Sequence, residues 1–196
     1  MPNLVNVQLQ NAFQSMDSVT ITGGNHSIPF SHTDIGALKL FMTKYWECWS
    51  DERVPSSITE LIIGNWKCND ARITELDLSK YPMLKSVTIG SDSFMYVNDV
   101  KMIGMSELKS VVIGMNSFTR CKNTYEVTPN PNRYFHLKDC PKLKSLKIDR
   151  YSFSDYTVCG IENVDALEVL EIGKLGKYSE NFQYASLELK SAFVLE

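Results

Sequence analysis

Among the residue types that most readily do nucleophile, base or metal chemistry, the chain offers three histidines (His26, His32, His136) and five cysteines (Cys48, Cys68, Cys121, Cys140, Cys159). Neither set is arranged for it. The cysteines form no Cys-x-x-Cys pair and no zinc-ligand spacing, and their odd number argues for buried thiols rather than a disulfide framework. Cys68, Cys140 and Cys159 fall at positions that hold apolar residues elsewhere in the chain, so they read as small core groups. His26 and His32 lie in an irregular stretch. His136, between Phe135 and Leu137, should point away from the core if that segment is a strand, and no nucleophile stands beside it to be activated. Phosphate-cradling glycine loops, the Gly-x-Ser-x-Gly elbow and the His-Glu-x-x-His helix are all missing. The expectation is therefore a protein that is not an enzyme and carries neither cofactor nor metal.

Composition narrows the classes further. The 196 residues are 43% hydrophobic and 22% charged, with net charge −3, the balance of a globular chain. A mildly acidic protein lacks the basic footprint of a nucleic-acid binder. No apolar run approaches the roughly 20 residues that span a bilayer, so no integral membrane segment is expected. Residues 1–10 show neither a basic start nor a long apolar stretch, so no signal peptide is visible. One glycosylation sequon, Asn25–Ser27, does not decide the compartment, which stays open between cytoplasm and, for a piece of a longer protein, cell surface.

What the chain does carry is repetition. LKSVTIG at Leu84–Gly90 returns as LKSVVIG at Leu108–Gly114. The pattern apolar-x-x-apolar-x-apolar also begins at Leu4, Met16, Ile58, Ile73, Leu143 and Leu167. From Leu84 onward the opening leucines are 24, 35 and 24 residues apart, a period with one insertion. Ten residues after three of them stand Phe94, Phe118 and Phe153. A second apolar-x-apolar unit precedes each: Leu76/Leu78, Val100/Met102, Phe135/Leu137 and Cys159/Ile161, with Leu187/Leu189 opening another.

Alternation with period two marks both units as short strands with one buried face. A unit this small cannot bury that face alone, so successive units must stack, with Ile89, Ile113, Ile148 and Ile172 in one row and the phenylalanines in another. The fold class expected is a repeat solenoid, β-rich, with parallel strands stacked into a curved sheet and few helices.

Leu108–Phe118 resembles the leucine-rich-repeat segment L-x-x-L-x-L-x-x-N-x-L, with Asn116 at the asparagine position and Phe118 at the last apolar one. The resemblance implies that the Asn116 side chain bonds the backbone of its turn, with Asp92 doing the same one repeat earlier. Trp66, Tyr151 and Leu175 stand where that asparagine would be. The second strand per repeat, the Ser-Phe pair and CPKLKS resemble the BspA-like branch of the superfamily, found on bacterial and protist surfaces. The resemblance covers residues 58–196 well and 1–57 poorly. It implies a single solenoid over 1–196, a piece of a longer array, with regular repeats in 58–196.

Two stretches interrupt the period. In the excursion 23–57, Ile35, Leu38, Met42, Trp46 and Trp49 recur at helical spacing, with Ser31 or Thr33 as N-cap. That predicts an amphipathic helix on the solenoid flank, the alternative being an aromatic contact patch at Tyr45, Trp46 and Trp49. The 35-residue repeat carries an irregular loop over Thr119–Tyr134, in which Arg120, Lys122, Tyr125, Arg133 and Tyr134 give the composition of an interface hot spot; an insertion without a partner explains it equally well. A smaller insertion, Lys174–Phe182, adds Tyr178.

The function expected is recognition of a protein partner by a non-catalytic binding module. Residues between the last two apolar positions of each repeat (Thr20, Ile62, Thr88, Val112, Lys147, Glu171) should form one outward stripe. Ser86, Ser110, Ser145 and Val169 should form a second beside it. The alternative is a structural or adhesive segment of a larger cell-surface protein.

Overall fold

The computed structural model of the chain describes residues 56–120, 130–175 and 177–190, with Val54 and three short strands nearer the start. Of those, β1 (Thr22–Gly23) and β2 (His26–Ser27) form a small antiparallel pair. All other strands are parallel and lie in two sheets. The first sheet holds, side by side, β3 (Lys39–Met42), β4 (Glu60–Ile63), β6 (Ser86–Ile89), β8 (Ser110–Ile113), β10 (Ser145–Ile148) and β12 (Val169–Ile172). The second holds β5 (Glu75–Asp77), β7 (Asp99–Ile103), β9 (Tyr134–Lys138), β11 (Val158–Glu162) and β13 (Ser186–Lys190). From β4 onward the chain visits the two sheets alternately. Among the described residues the one helical element is a 3₁₀ turn, Leu78–Lys80, capped by the Asp77 carboxylate accepting from the Ser79 N–H.

Pairing is in register throughout. Leu61, Val87, Val111, Leu146 and Leu170 are direct neighbours, as are Ile63, Ile89, Ile113, Ile148 and Ile172. In the second sheet the matching row is Leu76, Val100, Phe135, Cys159 and Leu187. Both sheets turn alternate side chains into one shared core, each buried aliphatic contributing about 1.5–3 kcal/mol. The isoleucine row is buried as far as Ile148, but Ile172 is 36% and Leu170 39% exposed. The reason is positional: among the described residues β12 pairs with β10 alone, and no further strand covers its inward side chains.

Three rows at the turn after each first-sheet strand explain the recurring Ser-Phe pair. The rings of Phe94, Phe118, Phe153 and Phe182 stack at 5.2, 4.7 and 4.9 Å with planes within 5° of parallel. The buried hydroxyls of Ser93, Ser117 and Ser152 donate to the carbonyls of Gly64, Gly90 and Gly114 one unit earlier, at 2.9, 2.8 and 2.6 Å. Each also accepts a backbone N–H of that unit, from Lys67, Ser93 and Ser117. Asn181 takes the serine position before Phe182 and reaches the Asp149 carbonyl with its longer amide. Finally, Trp66, Asp92, Asn116 and Tyr151, and two residues on Cys68, Phe94, Phe118 and Phe153, all have φ between 56° and 64°. Such left-handed residues cost about 1 kcal/mol each, offset here by bonds such as Asn116 N–H to the Arg150 carbonyl. Units approach closely at Gly114, where a Cβ would lie 2.6 Å from the Ser91 nitrogen.

Three expectations need correcting. Lys39–Met42, inside the expected helix, is a strand pairing with β4 in register; the remainder of that helix, with the aromatic patch Tyr45, Trp46 and Trp49, lies outside the described residues. Helical spacing misled there because Leu40 and Met42 also satisfy period two, and the open edge of β4 offered backbone partners. The Asn116 side chain does not cap its turn: its Oδ1 is buried without a hydrogen bond, and what it supplies is tolerance of positive φ. Arg133 is not a loop contact at all. It is fully buried, paired with Asp155, and donates to the carbonyls of Val97 (3.2 Å) and Met95 (2.9 Å). Its guanidinium sits 4.6 Å from the Tyr156 ring centre.

Candidate functional site

The outward face of the first sheet is set by strand alternation. In β8, Val111 and Ile113 are buried while Val112 between them is 39% exposed. Register then carries the pattern sideways, so that Ile62, Thr88, Val112, Lys147 and Glu171 form one row. Ser86, Ser110, Ser145 and Val169 form the row beside it, each half-buried. Both rows match the expected stripes; Thr20 and the strands expected at Leu4 and Met16 lie outside the described residues. Neighbouring strands are about 4.8 Å apart, so each row is a straight, evenly spaced line of short side chains. Strand alternation places the Ser86, Ser110 and Ser145 side chains on the outer face, and none of their hydroxyls is bonded to another described residue.

Charge on this face is uneven. Lys147 pairs with Glu171 at 3.0 Å, and Lys144 with Glu168 at 2.9 Å. At the turn entering the strands, Lys142 pairs with Glu107 at 2.6 Å. That hydrogen bond, helped by the charges of Lys85 and Lys109, holds the Glu107 carboxyl below its usual range.

The second sheet presents a different outer face. Lys101 lies between Glu75 (2.7 Å) and Asp99 (2.9 Å), which raise its pKa through hydrogen bonds. Glu162 takes Lys138 at 2.9 Å and Lys190 at 3.7 Å. Its cations are thus engaged with its own carboxylates. Tyr134, expected in the insertion, belongs here, stacked on His136 at 6.1 Å. His136 projects outward as expected; burial, then Lys138, pushes its pKa down.

Of the other loop candidates, Arg120 is exposed, with its guanidinium 5.2 Å from the centre of the Tyr96 ring. Lys122, Tyr125, Cys48 and Cys121 lie outside the described residues. The base of the insertion is held by the following unit: Thr119 and Ser154 hydroxyls lie 2.7 Å apart, and the Asn130 N–H donates to the Asp155 carbonyl at 3.1 Å. Cys68, Cys140 and Cys159 are free and buried, with burial pushing Cys140 up to about 11 and Cys159 to about 12. Among the described residues no group of three or more His, Cys, Asp or Glu side chains could hold a metal ion, and no helix is long and apolar enough to cross a membrane.

Reading the residues singly missed the serine row, the Arg133–Asp155 pair and the lysines entering β6, β8 and β10. The first and last were legible in the repeated Ser-Phe and Leu-Lys-Ser; the buried pair left no signal. The chain matches no family model, no curated protein and no solved structure.

Proposed function

We propose that the chain is a leucine-rich-repeat solenoid, resembling the BspA-like branch, and that it is a non-catalytic module binding a protein partner on the outer face of its first sheet. The observation carrying this reading is Val112, an aliphatic side chain 39% exposed at the centre of an even, otherwise mostly polar strand face. Short hydroxyls beside it offer donors and acceptors without side-chain ordering cost. The opposite face differs in charge: ion pairs such as Lys101–Glu75 and Lys138–Glu162 cover it, whereas Ser86, Thr88, Ser110 and Val112 leave the centre of the first face uncharged.

The second reading is a structural or adhesive segment of a larger surface array. It draws on Leu170 and Ile172, inward side chains of β12 that are 39% and 36% exposed, where another unit of the same kind would stack.

A photo-crosslinking residue at Thr88, with the same residue at Lys101 on the second sheet as control, separates the faces. A discrete adduct from Thr88, absent from Lys101 and abolished by Val112→Arg, is the expected result. Equal adducts from both positions, or survival of the Thr88 adduct in Val112→Arg, contradict it.

A further inference from the structure

The residue entering each first-sheet strand is the same in three successive units: Lys85, Lys109 and Lys144. Their backbones are bonded rung to rung, Lys109 N–H to the Lys85 carbonyl at 2.8 Å and Lys144 N–H to the Lys109 carbonyl at 2.9 Å. The three side chains therefore leave one edge of the strand face at about 4.8 Å intervals. Beside them, Lys142 adds a fourth positive charge, against two negative ones from Glu107 and Glu168. A locally positive edge on a chain of net charge −3 is a departure from its average. Lys144 and Lys142 hold carboxylates of their own, but among the described residues Lys85 and Lys109 make no ion pair. Immediately inside them lie the Ser86 and Ser110 hydroxyls, bonded to no other described residue, and then Thr88 and Val112.

We infer that this edge receives an acidic, extended segment of a protein partner, laid across β6, β8 and β10 with its carboxylates on Lys85, Lys109 and Lys144. The inference rests on the strand-face reading above and gives its partner a chemistry. The spacing suits it. An extended chain advances about 3.3 Å per residue with alternate side chains on one face, so like-facing carboxylates stand about 6.6 Å apart, and the long lysine and glutamate stems take up the difference from rungs about 4.8 Å apart. Carboxylates also accept well from both ammonium groups and hydroxyls. Glu60 on β4 and, on β12, Glu171, the partner of Lys147, flank the edge on either side with negative charge, which confines the segment to the middle of the sheet.

The probe is a fluorescein-labelled oligo-glutamate peptide, read by anisotropy, with a heparin oligosaccharide as the other polyanion. Lys85→Glu/Lys109→Glu should weaken peptide binding about tenfold or more, as loss of close charge partners does, with the melting temperature unchanged. Lys174→Glu/Lys177→Glu, an equal change of net charge at exposed sites in the last unit, should leave binding within about twofold. No peptide binding, equal weakening by both double variants, or binding of heparin alone overturns the inference. The crosslinking experiment separates the two readings. An adduct lost in Val112→Arg but kept in Lys85→Glu/Lys109→Glu would leave the strand face standing and sink the acidic segment. The reverse would sink the strand face, and with it the laying of the segment across β6, β8 and β10.

Discussion

Replacing Ser117 by alanine removes one hydroxyl from a residue with no exposed surface, and should cost far more than its size suggests. The hydroxyl donates to the Gly90 carbonyl at 2.8 Å and accepts the Ser93 N–H at 3.3 Å. Both partners belong to the preceding unit, and the Ser93, Ser117 and Ser152 side chains are themselves buried. An unsatisfied buried donor or acceptor costs about 1–3 kcal/mol. The 3.3 Å bond is the weaker of the two, so the sum comes to about 2–4 kcal/mol. Urea unfolding followed by circular dichroism measures it, with an unchanged m-value showing that two-state behaviour holds. Ser110→Ala is the control: the same chemical change on the outer face, where no described residue bonds the hydroxyl, should stay within about 0.5 kcal/mol. If Ser117→Ala and Ser110→Ala lose the same small amount, the serine row does not join the units, and the account of the repeated Ser-Phe pair is wrong.

Arg133→Met should destabilise by about 3–5 kcal/mol because it strands a buried Asp155 charge, whereas Arg133→Met/Asp155→Leu should recover much of the loss; a double variant as unstable as the single one would refute the pairing as cause. His136 has its pKa pushed down from 6.5 by burial and then Lys138, so the folded state favours the neutral ring. Stability should then fall as pH drops from about 7 to about 5.5, below the unfolded-state value and above the carboxylate range. His136→Gln should flatten that part of the melting-temperature profile, and an identical slope would exclude His136 as its source. In a Cys48→Ser/Cys121→Ser background the remaining thiols, Cys140 near 11 and Cys159 near 12 by burial and Cys68 buried, should react with a disulfide reagent at about pH 8 only after denaturation. Fast labelling of the folded protein would show that the core is open.

The β-rich, parallel pairing was legible because each unit repeats the period-two signal; the division of its strands between two sheets, where one curved sheet was expected, was not. Ile89, Ile113 and Ile148 are buried in one row, and Thr88, Val112 and Lys147 face outward between their buried neighbours. Ile172 broke the rule through position, since burial within a stack depends on the next unit rather than on the residue itself. Arg133 broke it for another reason. Arginine near prolines and asparagines reads as surface, and only Asp155 with the carbonyls of Val97 and Met95, partners distant in the sequence, satisfies its donors in the core. Lys39–Met42 satisfied helical and strand periods at once, and the edge of β4 decided between them. The partner leaves no pattern in one sequence, because outward residues are free of the packing constraints that make the inward ones readable.

The most direct measurement is the pair Val112→Arg and Ile113→Arg, adjacent residues on opposite faces of β8, each assayed for thermal unfolding and for the adduct formed from a crosslinker at Thr88. Val112→Arg should keep the wild-type melting temperature within the range of about 0.5 kcal/mol and lose the adduct. Ile113→Arg should fail to fold, having placed an unpaired charge in the core. A Val112→Arg protein that is stable and still crosslinks its partner at wild-type yield would contradict the claim that this face is the binding surface.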